Sequence, residues 1–164
     1  MAYADYEFYT TKYYGSAIMD SQSFDKQAER ASDFLDIITF ERLVDGLPDN
    51  ERAQTKIKKA VCALADKLYG LELAEKQALS AAAGSITSGT GGATTGVITS
   101  KSSGSESISY ASPSEIANGA KAWSAVYSAA GDEQATNKLL YDTVKVYLMG
   151  VRDSKGTPLL FAGL

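Results

Sequence analysis

Residues 23–40 read SFDKQAERASDFLDIITF, and this stretch decides the fold class. Its apolar residues recur with alternating steps of four and three, the spacing of one face of an α-helix; they are Phe24, Ala28, Ala31, Leu35 and Ile38. Ser23 is suited to cap the helix, and Gly46 and Pro48 break the chain after it. We therefore predict a helix over residues 24–40.

The same spacing returns in the next segment, where Asp49 or Asn50 can cap a second helix. Its apolar face is formed by Ala53, Ile57, Ala60, Leu64, Leu68 and Leu71. Gly70 disfavours a helix interior, so we expect the helix to end between Tyr69 and Leu79.

Two further helices are predicted in the C-terminal half. The stretch 112–115, Ser-Pro-Ser-Glu, is typical of a helix start, and Gly131 breaks the helix that follows. Its apolar face is formed by Ile116, Ala120, Trp123 and Tyr127. The last helix carries Leu140, Val144 and Tyr147 and ends near Gly150.

Residues 80–109 differ in composition, because twenty of the thirty are Ser, Thr or Gly. Such a segment is an excursion from the core rather than a helix. Two parts of it, Val97-Ile98-Thr99 and Ser107-Ile108-Ser109-Tyr110, have the β-branched or alternating character of strands that pair as a hairpin. We therefore expect residues 80–111 to form an extended loop or β-hairpin that contacts neighbouring subunits.

Both ends of the chain carry clustered apolar or aromatic residues. Tyr3, Tyr6 and Tyr9 recur at every third position, which suits either docking on the core or an interface with a partner. Near the C-terminus, Leu159, Leu160 and Phe161 are adjacent. Neighbouring side chains of an extended segment point to opposite sides, so this run predicts burial between two subunits; the alternative is a tail folded onto its own helices.

The chemistry of the sequence argues against an enzyme. It has no histidine and one cysteine, Cys62, so Ser–His and Cys–His pairs and thiolate metal cages are excluded. The glycine-rich run at 89–92 has no following Gly-Lys-Ser/Thr, which a phosphate-binding loop requires. We expect no catalytic, metal-binding or cofactor-binding residues and no cofactor.

Charge and hydropathy limit the classes of partner that the chain could have. The net charge of −4 and the pI of about 4.9 disfavour a free nucleic-acid binder. The lysine-bearing helix 51–68, with Lys56, Lys58 and Lys59, is the one feature that favours a helical DNA-packaging or regulatory binding module. No apolar run is long enough to span a membrane, and the N-terminus lacks the basic region of a signal peptide. These features predict a protein kept in the cytosol or in an assembly built there.

Several short motifs together resemble the small head–tail connector (adaptor) proteins of long-tailed phages. The N-terminal motif is matched by Asp5-Tyr6-Glu7, Gly15, Phe24, Ala28, Ala31-Ser32, Leu35-Asp36, Thr39 and Arg42. The loop ending of that family resembles residues 105–110, and its closing motif resembles Tyr147-Leu148 with residues 157–163. Two departures are an insertion at 149–156 and Ala162 in place of an arginine, which removes any salt bridge made by that arginine.

The resemblance implies a mainly α fold: a small bundle of about four helices with a long extended loop or β-hairpin. It implies one connector domain over 1–164, with a helical core at 20–79 and 112–150, the loop at 80–111 and a tail at 151–164. It further implies a virion neck protein, assembled in the host cytoplasm, that forms a twelvefold ring below the portal protein. The ring would meet a downstream stopper or tail protein and extend the channel through which double-stranded DNA passes without specific binding. The candidate interface residues are Leu159, Leu160, Phe161, Val97, Ile98, Ile108, Tyr110, Tyr3 and Tyr6.

Overall fold

The computed structural model describes residues 2–84, 98–102, 107–110 and 124–160, and these are mainly helical. In chain order the elements are α1 (Tyr6–Thr11), α2 (Ser21–Ile38), α3 (Glu51–Gly84), β1 (Ile98–Ser102), β2 (Ser107–Tyr110), α4 (Ala125–Ala129) and α5 (Glu133–Leu148). The prediction of a small helical bundle with a β-hairpin excursion is confirmed. Among the described residues, none of the helices has both the length and the apolar character that crossing a lipid bilayer requires.

The chain contains two compact units. The first contains Met1–Gly70 and Asn137–Leu164, and the second contains Leu71–Thr136. The first unit therefore holds α1, α2, the N-terminal part of α3 and most of α5. The second holds the β-hairpin and α4.

Helix α2 begins three residues before the predicted start. Its cap is Asp20, not Ser23, because the Asp20 carboxylate accepts the Ser23 backbone N–H at 2.8 Å and the Asp20 carbonyl accepts that of Phe24. The same N–H bond lowers the pKa of Asp20. Ser23 and Asp20 are both good capping residues, and the sequence alone did not separate them.

The end of α2 is a tight, strained turn. Thr39 is buried, and its hydroxyl donates to the Leu35 carbonyl at 2.8 Å. Phe40 and Glu41 follow with φ of 57° each, the left-handed region that non-glycine residues seldom adopt. The reversal ends the helix two residues before the predicted position.

Helix α3 continues through the glycine expected to end it. Asn50 is the cap, since its side-chain oxygen accepts the N–H groups of Arg52 and Ala53 at 2.9 and 3.1 Å. Gly70 lies in the interior, where it costs only about 1 kcal/mol relative to alanine. A Glu72–Lys76 pair of 2.7 Å one turn apart supports the following turns. Residues 80–84, which were predicted to belong to the loop, are therefore part of the helix.

The core of the first unit is formed by the faces that the four–three spacing predicted. The predicted core residues that are buried there are Phe24, Ala28, Leu35, Ile57, Leu64, Leu140 and Val144. Ile38 and Leu68 are only half-buried, and Trp123 lies outside the described residues. Side chains that the spacing did not single out complete this core: Tyr9, Ile18, Leu43, Leu148 and Leu159 are fully buried.

The second unit contains the predicted hairpin. Strands β1 and β2 pair antiparallel, from Ser102 opposite Ser107 to Ile98 opposite Tyr110, with an irregularity between Ile98 and Ser100. The Tyr127 side chain, predicted to be core, is half-buried, and its hydroxyl donates to Gln77 at 2.6 Å. The predicted helix start at 112–115 lies outside the described residues.

We expect Leu64→Ala to lower the free energy of unfolding by about 2–5 kcal/mol, because Leu64 is fully buried and its truncation leaves a cavity. The matched control is Leu79→Ala on the same helix, where the side chain is 65% exposed and the cost should stay below about 0.5 kcal/mol. Denaturant melts followed by circular dichroism measure both. Equal losses for the two variants would contradict the assigned face of α3.

Candidate functional site

The N-terminal tyrosines form an aromatic stack inside the first unit. Tyr9 is fully buried, and its ring lies between those of Tyr6 and Tyr13, with centroid distances of 6.0 and 5.7 Å. Phe24 of α2 closes the stack at 4.6 Å from Tyr9. The aromatic segment therefore docks on its own core, and Tyr6, a candidate interface residue, is half-buried by this packing.

The Tyr9 hydroxyl is the polar centre of the stack. It donates to the Asp66 carboxylate of α3 at 2.6 Å and accepts the backbone N–H groups of Ala17 and Ile18 at 3.1 and 3.2 Å. One side chain thus ties α1, the 12–20 connection and α3 together. Gly15 permits this approach, because a Cβ there would lie 2.1 Å from the Tyr9 ring.

The cluster contains a half-buried carboxylate, Asp66, whose pKa is shifted by its surroundings. Burial raises the pKa of Asp66, although the hydroxyls of Tyr9 and Tyr13 lower it by hydrogen bonding to the carboxylate. Burial and the hydrogen bond to Asp66 raise the pKa of Tyr9 to about 12. The pKa of Tyr13 is raised as well, by burial and then by the charge of Asp66 and contact with Tyr147. Both tyrosines therefore stay neutral donors at physiological pH.

An open groove borders this cluster on the surface of the first unit. Its volume is about 320 Å³, and it is lined by Tyr13, Ala63, Asp66, Lys67, Thr143, Val146 and Tyr147. Cys62, one turn before Asp66, is fully buried, and burial raises the pKa of its thiol to about 12. The thiol is therefore neutral and shielded, which disfavours nucleophilic chemistry.

The C-terminal tail is bound to the first unit through Arg42. The Arg42 guanidinium donates to the carbonyls of Pro158 and Leu159 at 3.0 and 3.1 Å and lies 5.3 Å from the centre of the Phe40 ring. The Leu159 N–H donates to the Val151 carbonyl at 2.9 Å. The tail segment up to Leu160 thus folds back onto the unit that carries it.

This arrangement corrects the expectation for Leu159. Its side chain is fully buried in its own core, so Leu159 is removed from the candidate interface. A tail folded onto its own helices was the predicted alternative. Leu160 is half-buried, and Phe161 lies outside the described residues. Three adjacent apolar residues suggested burial from two sides, but the side chain of the first, Leu159, packs into the core of the same chain.

The other candidate interface residues fall into two groups. Tyr3 is half-buried, and its hydroxyl donates to Asp36 at 2.6 Å while its N–H donates to Ser32 at 3.1 Å, so it also docks on its own α2. Ile98, Ile108 and Tyr110 lie on the paired strands of the hairpin. Val97 lies outside the described residues.

The lysines of α3 are less available than their sequence suggested. Lys56, Lys58 and Lys59 are all half-buried. The Lys58 ammonium lies 5.5 Å from the centre of the Phe8 ring, a cation–π contact within the subunit. The lysine run is therefore partly engaged in packing α1 against α3.

Two exposed apolar surfaces of the first unit were missed by sequence reasoning. The turn surface lies at the end of α2 and consists of Asp33, Ile37, Phe40, Glu41, Val44 and Asp45, all exposed. The α5 surface is the outward arc of that helix with the residue that follows it, and it consists of Lys138, Tyr141, Asp142, Lys145, Val146 and Met149, all exposed. The available signal was an apolar residue where the helix period requires a polar one, as at Ile37 and Val146.

Comparisons with known proteins do not identify the chain. No protein-family model, curated protein or solved structure matches it. Within the ranges that the structure describes, no group of three or more acidic or cysteine side chains is placed to hold a metal ion.

We expect Tyr9→Phe to destabilise the protein by about 1–3 kcal/mol at neutral pH, because the half-buried Asp66 carboxylate and two backbone N–H groups lose a partner. The pKa of Tyr9 lies at about 12 in the folded state against an ordinary value of 10.0. The stability that Tyr9 contributes is therefore complete below pH 10 and is lost as pH rises through 12. Denaturant melts should show a wild-type-to-variant difference that shrinks over this window. A difference that stays constant across it would contradict the raised pKa.

We expect Leu159→Ala to cost about 2–5 kcal/mol in the isolated subunit, because the side chain fills its own core. Ser154→Ala in the same C-terminal segment is exposed and should be close to neutral. Thermal and denaturant melts of dilute monomer measure both. If Leu159→Ala unfolds at the same temperature and denaturant concentration as the wild type, the core assignment is wrong and Leu159 is again a candidate interface residue.

Proposed function

We propose that this chain is a structural assembly protein, a phage head–tail connector whose copies form a ring below the portal and join head to tail. The observation that carries the proposal is the presence of two exposed surfaces, each with three large apolar residues, on one small unit. Monomeric proteins tend to keep such side chains apart or covered, and clustered ones are typical of protein–protein contact. The resemblance of the sequence motifs supplies the phage connector as the specific assembly.

The use of the titratable groups supports an assembly role over catalysis. Asp66, Tyr9 and Tyr13 bind one another and hold the N-terminal segment on α3. Cys62 is buried with its pKa raised to about 12. Each of these groups has a packing role that accounts for its position.

The hairpin provides a second kind of contact in this proposal. Paired strands β1 and β2 stand within the stretch rich in Ser, Thr and Gly, a composition that favours an arm over a packed core. A neighbouring copy would be its partner in a ring. Ile98, Ile108 and Tyr110 remain the candidate contact residues of this arm.

The charge of the chain suits a channel wall. The net charge is −4, and a wall that is acidic or mixed lets DNA slide, whereas a row of lysines would grip phosphates. The competing proposal is a helical DNA-packaging or regulatory module that binds through Lys56, Lys58 and Lys59. The cation–π contact of Lys58 with Phe8 favours the connector.

The experiment is a mass measurement of the purified protein alone and with the portal ring of the same source. We expect the portal complex to gain as many copies of this chain as the portal has subunits, because a connector ring follows the portal symmetry. A fluorescent DNA duplex in the same buffer tests the competing module. Failure to bind portal, together with salt-sensitive DNA binding that Lys56→Ala and Lys59→Ala weaken, would overturn the connector in favour of that module.

A further inference from the structure

The turn surface and the α5 surface of the first unit have the same number of exposed large apolar residues and opposite net charge. Each presents three exposed apolar side chains: Ile37, Phe40 and Val44 are 72%, 52% and 63% exposed, and Tyr141, Val146 and Met149 are 41%, 79% and 64% exposed. The charged residues among the six differ in sign. The turn surface has three carboxylates, whereas the α5 surface has two lysines and one carboxylate.

The structure fixes the turn surface in place. Phe40 and Glu41 both have φ of 57°, a backbone conformation that costs energy in non-glycine residues and that the surroundings must hold. Backbone hydrogen bonds stabilise this turn. The Phe40 N–H donates to the Ile37 carbonyl at 3.2 Å, and the Val44 N–H donates to the Glu41 carbonyl at 3.2 Å. Arg42, the one basic side chain in this turn, is half-buried and directed to the Pro158 and Leu159 carbonyls. The charge presented outward is therefore acidic.

The α5 surface is likewise held by its helix. Leu140, Val144 and Leu148 on the opposite side of α5 are buried, which fixes the rotation of the helix and turns Lys138, Lys145 and Met149 outward. Val146 also borders the groove beside Tyr13 and Tyr147, whereas Lys138 and Lys145 are the basic members of the exposed arc.

We infer that the turn surface of one copy binds the α5 surface of a second copy of this chain, in a head-to-tail contact. Apolar side chains from both surfaces form the centre of the contact, and the opposite charges at the edges set its orientation. When two different surfaces bind each other, a chain of copies keeps one unused surface at each end, so the contact can repeat. The copies form a ring where the rotation between neighbours closes and an open filament where it does not. This inference rests on the proposed function, since it names the contact by which connector subunits would join.

The contact is tested by reversing charge on one surface at a time. Glu41→Lys with Asp45→Lys makes the turn surface basic, and Lys138→Glu with Lys145→Glu makes the α5 surface acidic. Each double variant alone opposes like charges, and its self-association in sedimentation experiments at low salt should fall about tenfold or more. An equimolar mixture of the two double variants should regain association, and so should one chain carrying all four changes.

The apolar part of the contact has a matched pair of variants. Val146→Ser should weaken association without lowering the melting temperature, because Val146 is 79% exposed. Leu79→Ser removes a side chain that is 65% exposed in the second unit and should leave association unchanged. Circular dichroism confirms that every variant is folded.

The outcomes separate this contact from the proposed function. Copies that associate equally well in the wild type and in both double variants would overturn the contact and leave a connector with another interface. A mixture that stays dissociated, a wild type that stays monomeric at low salt and high concentration, or association that stops at two copies would each overturn the head-to-tail contact. The proposed connector function is contradicted only if the protein does not bind the portal.

Discussion

The Tyr9 hydroxyl connects three parts of the chain that would otherwise be held by apolar packing alone. It donates to Asp66 on α3 and accepts two backbone N–H groups from the connection between α1 and α2. Because the ring is fully buried, the hydroxyl has no access to bulk water and these partners are its full complement. The position of the N-terminal segment on α3 depends on this bond and on the space that Gly15 leaves for the ring.

The sequence predicted the helices well, because their apolar faces are formed by local spacing. Phe24, Leu35 and Leu64 lie where the four–three pattern puts them. The helix ends were less accurate, since they depend on interactions that spacing does not encode. Asp20 rather than Ser23 caps α2, and α3 passes through Gly70 because the surrounding helix outweighs the local cost of about 1 kcal/mol.

The surfaces were harder to predict than the core. The tyrosine run was open to two interpretations, and the docked one is realised for Tyr3 and Tyr6. Their partners Asp36 and the Phe24 ring come from a different helix, which spacing within the run does not encode. Leu159 was expected at an interface, yet Arg42, over a hundred positions earlier, binds the tail to the core. The turn surface depends on the left-handed backbone of Phe40 and Glu41, which no residue preference would indicate.

Because Cys62 is buried, the rate at which its thiol reacts with a reagent reports how often the surrounding core opens. Cys62 is the single thiol in the chain and is fully buried on α3 beside the residues that hold the N-terminal segment. A small thiol reagent can reach Cys62 only when the side chains packed on this part of α3 move away. The labelling rate at neutral pH therefore reports the frequency of this local opening. Subunits packed side by side in an assembly would open less often than free ones. The unmodified protein thereby carries a thiol whose labelling rate reports local stability without an engineered probe.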